Sequence, residues 1–200
     1  LFISHTIFTQ SAFFHQVDSI KVISNGNELN SPWMGGINAA QFSKIDVNDD
    51  GLEDLFIFDR TGNTVSIYIN NGTTFTFNSE YSKLFPPLEY WALLRDFNND
   101  GKKDIFSYVS GGIGVWENTS VGTEISFNKL TFTNYTTNTQ DPYMLSYQFG
   151  NQTNLFVSKV DIPDINDIDG DGDLDVLTFG VLGSRIEYHQ NFSVENGHAF

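Results

Sequence analysis

The 200-residue sequence predicts an all-β chain. Three observations lead there. Three acidic segments, beginning at Asp46, Asp96 and Asp167, each run at once into a short β-branched and aromatic stretch: Leu55-Phe-Ile-Phe58, Ile105-Phe-Ser-Tyr-Val109 and Val176-Leu-Thr-Phe179. Apolar runs this short, closed by turn residues, are strand signatures. No stretch has a convincing helical period. The 19 Phe and 15% aromatic content suit sheets stacked face to face, where a middle strand is buried on both sides.

The elements follow in order. Residues 1–12 are apolar with small residues at their end, and read either as the tail of a secretory signal peptide or as a first strand. Residues 1–29 are therefore set apart as signal-peptide remnant and lead-in strand. Residues 42–46 enter the first acidic segment as a strand and 54–59 leave it as the next. Thr61-Gly-Asn63 marks a turn, 64–70 a third strand, Asn71-Gly72 a hairpin turn and 73–78 an outer strand. Within 54–59, alternation places Phe56 and Phe58 on one face, Leu55 and Ile57 on the other. The pattern recurs with strands at 90–96, 104–109, 113–118 and 125–132, then at 160–166, 175–179 and 185–191. First positions are spaced by 50 and then 71 residues, and the excess falls in the Thr-, Asn- and Tyr-rich stretch 131–152.

The acidic segments share one grammar: Asp46-Val-Asn48-Asp-Asp50-Gly51-Leu-Glu-Asp54, Asp96-Phe-Asn98-Asn-Asp100-Gly101-Lys-Lys-Asp104 and Asp167-Ile-Asp169-Gly-Asp171-Gly172-Asp-Leu-Asp175. Each has an oxygen-bearing side chain at positions 1, 3, 5 and 9 and Gly at position 6. Hard oxygen donors at alternate residues, then a glycine for a sharp turn, suit a calcium ion. The predicted ligands are Asp46, Asn48, Asp50 and Asp54; Asp96, Asn98, Asp100 and Asp104; and Asp167, Asp169, Asp171 and Asp175. Leu52, Lys102 and Asp173, at position 7, would each add a backbone carbonyl. An EF-hand would need a Glu at position 12, where this chain has Ile57, Ser107 and Thr178, and would need flanking helices.

A second recurring element is a strand ending in Asn: Ser66-Ile-Tyr-Ile-Asn70, Gly114-Val-Trp-Glu-Asn118 and Ile186-Glu-Tyr-His-Gln-Asn191. The nine-residue loop with its following strand, together with this Asn strand and the Trp33-Met-Gly-Gly-Ile-Asn38 lead-in, resembles the FG-GAP, or VCBS, repeat. The resemblance covers about residues 30–195. It implies a β-propeller fragment of about three four-stranded blades joined by calcium-binding hairpin loops, with blades near 30–80, 81–135 and 155–200. Since a closed propeller takes about 4–8 blades, further blades of the same chain are expected as partners, and the sequence reads as part of a longer protein. The resemblance also implies a secreted or cell-surface protein of bacterial type that binds a protein or a glycan. A second reading is a non-catalytic accessory propeller of a secreted polysaccharide-degrading or other hydrolytic enzyme.

Composition narrows the function. A formal charge of −15 argues against nucleic acid and anionic membrane surfaces as partners. Three bound Ca²⁺ would bring it to −9. With no cysteine, disulfides cannot staple the chain, and metal is the expected substitute. Millimolar calcium outside cells would fill such loops. No run of 18 apolar residues is present, so no membrane insertion is expected. No enzyme activity is expected either. The carboxylates have a better use as ligands, His5, His15, His189 and His198 show no ligand spacing, and no nucleophile motif occurs. Trp33, Trp91 and Trp116 could stack on a sugar, but burial is the expected fate of each. Five Asn-x-Ser/Thr sequons, at Asn71, Asn118, Asn134, Asn151 and Asn191, are read as compositional.

Overall fold

The computed structural model describes residues 20–29 and 31–197. The signal-peptide reading of residues 1–12, with His5, His15 and His198, lies outside the described residues. The chain divides into two units, residues 1–35 and 36–200. In the first, β1 (Ile23–Ser24) and β2 (Asn27–Glu28) form a minimal hairpin. Asn25 and Gly26 at its tip have φ of 51° and 80°, the two positive values that a type I′ turn requires. Trp33 is exposed, against the expectation of burial, and its Nε1–H donates to the Ile20 carbonyl at 2.7 Å.

The second unit is all-β and built of small antiparallel sheets. Sheet 1 is β3 (Ala40–Ile45), β4 (Asp54–Asp59), β5 (Thr64–Asn70) and β6 (Phe75–Asn78), in that spatial order. Ile45 pairs with Asp54, so the first acidic loop is the β3–β4 connection. The one helix among the described residues, α1 (Ser79–Ser82), is a single turn; the Asn78 side chain starts it by accepting from the Glu80 and Tyr81 amides. Sheet 2 repeats the order with β7 (Ala92–Arg95), β8 (Asp104–Val109), β9 (Gly112–Asn118) and β10 (Phe127–Lys129).

The long stretch after sheet 2 is not an irregular loop. It folds into two hairpins, β11 (Phe132–Asn134) with β12 (Thr139–Asp141), and β13 (Leu145–Gln148) with β14 (Asn151–Asn154). Sheet 3 is β15 (Asp164–Asn166), β16 (Asp175–Phe179) and β17 (Ile186–His189), with three strands where sheets 1 and 2 have four. Among the described residues the sheets do not close into a barrel or ring.

Sheet 2 is buried on both faces, and the alternation of β8 shows why. Ile105 belongs to a core shared with Phe56, Phe58 and Ile67 of sheet 1, while its neighbour Phe106 belongs to a core shared with Ile165 and Val176 of sheet 3. Trp91 and Trp116 fall on opposite sides in the same way. Both are buried, as expected, and neither is free to stack on a sugar. β9 has no room at Gly112, where a Cβ would strike the Leu155 carbonyl oxygen.

The first strands of successive sheets are tied laterally. Gln41 Oε1 accepts from the Ala92 amide at 3.0 Å and Ser43 Oγ from the Leu94 amide at 3.3 Å. On the other side, Arg95 Nε donates to the Ile165 carbonyl at 2.8 Å. β7 thus lies between β3 and β15. Arg60, just past β4, reaches the Tyr90 carbonyl at 2.6 Å and the Val160 carbonyl at 3.0 Å.

Candidate metal centres

All three acidic segments are hairpin connections between the first two strands of a sheet, and they share one backbone conformation. Position 6 is left-handed in each, with φ of 81°, 89° and 103° at Gly51, Gly101 and Gly172. Position 4 is left-handed too, with φ of 58°, 54° and 87° at Asp49, Asn99 and Gly170. Asp, Asn and Gly are the residues that enter this region most readily, so position 4 carries a sequence signal for this turn.

The position 1 carboxylate organises each turn. Asp46 accepts from the Asp50 amide at 3.3 Å and the Gly51 amide at 2.8 Å. Asp96 does the same with Asp100 at 3.1 Å and Gly101 at 2.9 Å. In loop 3, Asp167 accepts from Gly170 at 2.7 Å and Gly172 at 3.1 Å. Position 5 then accepts from the position 7 amide: Leu52 on Asp50 at 2.8 Å, Lys102 on Asp100 at 2.8 Å and Asp173 on Asp171 at 3.0 Å.

Position 9 has a second task that the ligand reading did not contain. Asp54, Asp104 and Asp175 are each fully buried. Each accepts from the position 2 amide, at 3.0 Å from Val47, 2.6 Å from Phe97 and 3.0 Å from Ile168. Each also accepts from the amide of an Asn at or just past the end of the third strand, at 2.7 Å from Asn70, 2.6 Å from Asn118 and 2.8 Å from Asn191. One buried carboxylate therefore pins the loop to the strand two places away. The Asn completes the tie: Asn70 and Asn118 donate Nδ2 to the position 8 carbonyls of Glu53 and Lys103 at 3.0 and 3.1 Å. Each Asn Oδ1 accepts from the amide two residues on, at 2.9, 3.1 and 3.1 Å.

Burial sets the electrostatics. Loss of water pushes the Asp54 and Asp104 carboxyls above the ordinary value, even though their amide donors and, for Asp104, Asn118 first among them, pull the other way. Asp173 is raised for the same leading reason, with Asp171 and Asp175 adding repulsion. Tyr188, whose hydroxyl donates to Asp175 at 3.1 Å, is pushed up to about 12 by loss of water, by that hydrogen bond and by the acidic groups around it. His189 on β17 is held below its usual value by burial.

The loops differ in how their carboxylates converge. Asp167, Asp169 and Asp175 each place an oxygen within 4.8 Å of the others, and so do Asp169, Asp171 and Glu195. An ion with ligands at about 2.4 Å spans that separation, so loop 3 can hold a metal ion. The acidic side chains of loops 1 and 2 form no such group. There Asn at position 3 turns its amide onto the position 5 carboxylate, Asn48 on Asp50 at 2.9 Å and Asn98 on Asp100 at 3.4 Å. Loops 2 and 3 touch: Asn99 Nδ2 donates to the Gly172 carbonyl at 3.0 Å. Asp173 was expected to act through its carbonyl; its side chain is buried as well, and Oδ2 accepts from the Val194 amide at 3.1 Å.

Beside loop 3 lies a groove of about 890 Å³ between the inserted hairpins and β17. Exposed Tyr135, Tyr147, Tyr188 and Phe192 rim it, with Gln152 and Gln190 as polar groups.

No family model matches the chain, and no significant match is found among curated proteins or solved structures. Among the described residues no helix is long and apolar enough to cross a membrane.

Proposed function

We infer that this chain is a calcium-stabilised β-propeller segment of FG-GAP or VCBS type, from a secreted or cell-surface protein, and that it acts in binding or adhesion without catalysis. One observation carries the reading. The same unit of loop, buried position 9 Asp and Asn at or just past the end of the third strand occurs three times, each time at the first hairpin of an antiparallel sheet. Three left-handed turns of identical pattern, each lined by oxygen donors, fit a hard cation. The lateral ties from β3 to β7 to β15 support a radial arrangement of sheets around their first strands.

The buried, unpartnered Asp171 Oδ2 and Asp173 Oδ1 suit a cation in loop 3. In loops 1 and 2 the position 9 oxygens keep a lone pair beyond the amides they accept. Calcium would supply charge neutralisation there, and the chain's own groups would supply the turn. The aromatic-rimmed groove is of ligand size and, with its amide side chains, suits a glycan or an extended peptide.

The test is a thermal melt of the 200-residue chain in excess chelator and in millimolar calcium, paired with calorimetric titration. Binding to the folded state alone raises Tm with calcium concentration. Three bound ions and a higher Tm are expected. An unchanged melt with no bound metal sinks the calcium reading. A glycan array with the wild-type chain and Tyr147→Ala addresses the groove, where loss of any captured glycan in the variant is the expected result.

A further inference from the structure

We propose that Glu195, which lies outside the nine-residue motif, is a ligand of the loop 3 ion, so that calcium in this loop also clamps the turn that follows β17. This rests on the reading of loop 3 as a calcium loop. The argument starts from one substitution within the repeat. Position 3 is Asn in loops 1 and 2, and its Nδ2 provides the partner of Oδ2 of the position 5 carboxylate. In loop 3 position 3 is Asp169, which has no hydrogen to give when ionised. The corresponding atom, Asp171 Oδ2, is buried and has no partner. A carboxylate oxygen withdrawn from water and left without a donor is costly, and a cation removes that cost.

Glu195 faces the same place. It joins Asp169 and Asp171 in a group whose oxygens all lie within 4.8 Å of one another. Among the described residues no Lys or Arg pairs with any of the three. A neutral side chain, Gln190, bridges two of them, its Nε2 reaching Asp169 at 2.6 Å and Glu195 at 3.3 Å. Three carboxylates so close repel one another unless a cation or a shared proton sits among them.

The approach of Glu195 is built into the fold. Asp173 is only 2% exposed, and its Oδ2 grips the Val194 amide at 3.1 Å, one residue before Glu195. Its Oδ1 is buried without a partner. The turn itself is closed by the Asn196 amide on the Phe192 carbonyl at 3.1 Å and the Gly197 amide on the Val194 carbonyl at 3.0 Å. Asp173 is thus a positioning residue, and Glu195 a ligand. Loop 2 also meets an acidic group from beyond the motif, Glu117, but there it accepts from Asn98 Nδ2 at 3.2 Å and, among the described residues, joins no cluster of three carboxylates.

The test is a calcium titration of the ¹⁵N-labelled 200-residue chain, read at the amides of Gly51, Gly101, Gly172 and Gly197. In the wild type, Gly172 and Gly197 should shift together with one midpoint. Glu195→Gln keeps the size of the side chain, and Glu195 is exposed, so the fold should persist; unchanged positions of the other metal-free amide signals check this. The variant should raise the Gly172 midpoint about tenfold, leave Gly51 and Gly101 in place, and uncouple Gly197. Asp167→Asn provides the comparison. If it abolishes the Gly172 response while Glu195→Gln does not move it, Glu195 shares a proton with Asp171 instead of binding metal, and this inference fails alone. If wild-type Gly172 does not respond to calcium, the reading of loop 3 fails with it.

Discussion

Asp104 accepts two backbone amides at 2.6 Å each while sitting fully buried, and no water can replace either bond. Removing it strands two donors, each worth about 1–3 kcal/mol when left unpaired. Asp104→Ala should therefore destabilise the chain by about 2–6 kcal/mol in chelator as well as in calcium. Asp100→Asn, which touches the exposed part of the same loop, should cost stability only when calcium is present. Urea melts of both variants under both conditions separate the roles; equal behaviour of the two would remove the distinction. Acidity offers a second check. Burial raises the Asp54 and Asp104 carboxyls, so the folded chain holds protons more tightly than the unfolded one. Their contribution is fully present below the ordinary value of 3.8 and is lost as pH rises through the raised folded values. Asp59, lowered by the amides of Asn38, Thr61 and Ala39, works in the opposite sense, and only as pH falls below 3.8. The metal-free chain should thus gain stability on acidification from neutrality toward the ordinary carboxylate range. A Tm in chelator that falls steadily from pH 7 to pH 5 would contradict this.

At the scale of the loop and the strand, the three repeats are not equal. Loop 3 has four Asp where loops 1 and 2 have three Asp and one Asn, and its carboxylates alone converge. It should saturate first in a calcium titration, and Asp169→Asn, which restores an amide donor to Asp171, should bring its midpoint toward those of loops 1 and 2. Saturation of Gly51 or Gly101 before Gly172 would show that charge does not rank the sites. Gly101→Ala meets no atom within 4 Å, so only its φ of 89° opposes it. The expected loss is about 1 kcal/mol, read from a melt.

The strands of all three sheets were legible because β-branched and aromatic runs abut unmistakable turn residues. The hairpins of 132–154 were not: Thr139-Gln-Asp141 and Asn151-Gln-Thr-Asn154 are polar throughout, so no apolar alternation marks them, and they are held by polar bonds such as the Tyr135 amide donating to Gln152 Oε1 at 2.6 Å. Asp104 was legible as an oxygen donor but not as a buried tie, since its amide partners lie 7 and 14 residues away. Glu195 was invisible for the same reason, being brought to loop 3 by the course of β17.

For the whole molecule, edges matter. Among the described residues β17 pairs only with β16, which leaves its other edge open and Ile186 exposed. Open strand edges invite pairing with another chain. The 200-residue chain should self-associate through this edge, and Ile186→Pro, which removes an N–H that the β16–β17 register turns to the open side, should reduce the association. Sedimentation showing a stable compact monomer at high concentration would rule this out. The position 9 tie has a different consequence, one of inheritance. The residues that close the hairpin, Asp104 and Asn118, are largely separate from those that would greet an ion, Asp96, Asn98 and Asp100. A duplicated copy of this unit can therefore lose its ion and keep its shape. Tandem growth of such a chain needs no calcium at every step, and each new copy starts with a loop that is free to diverge.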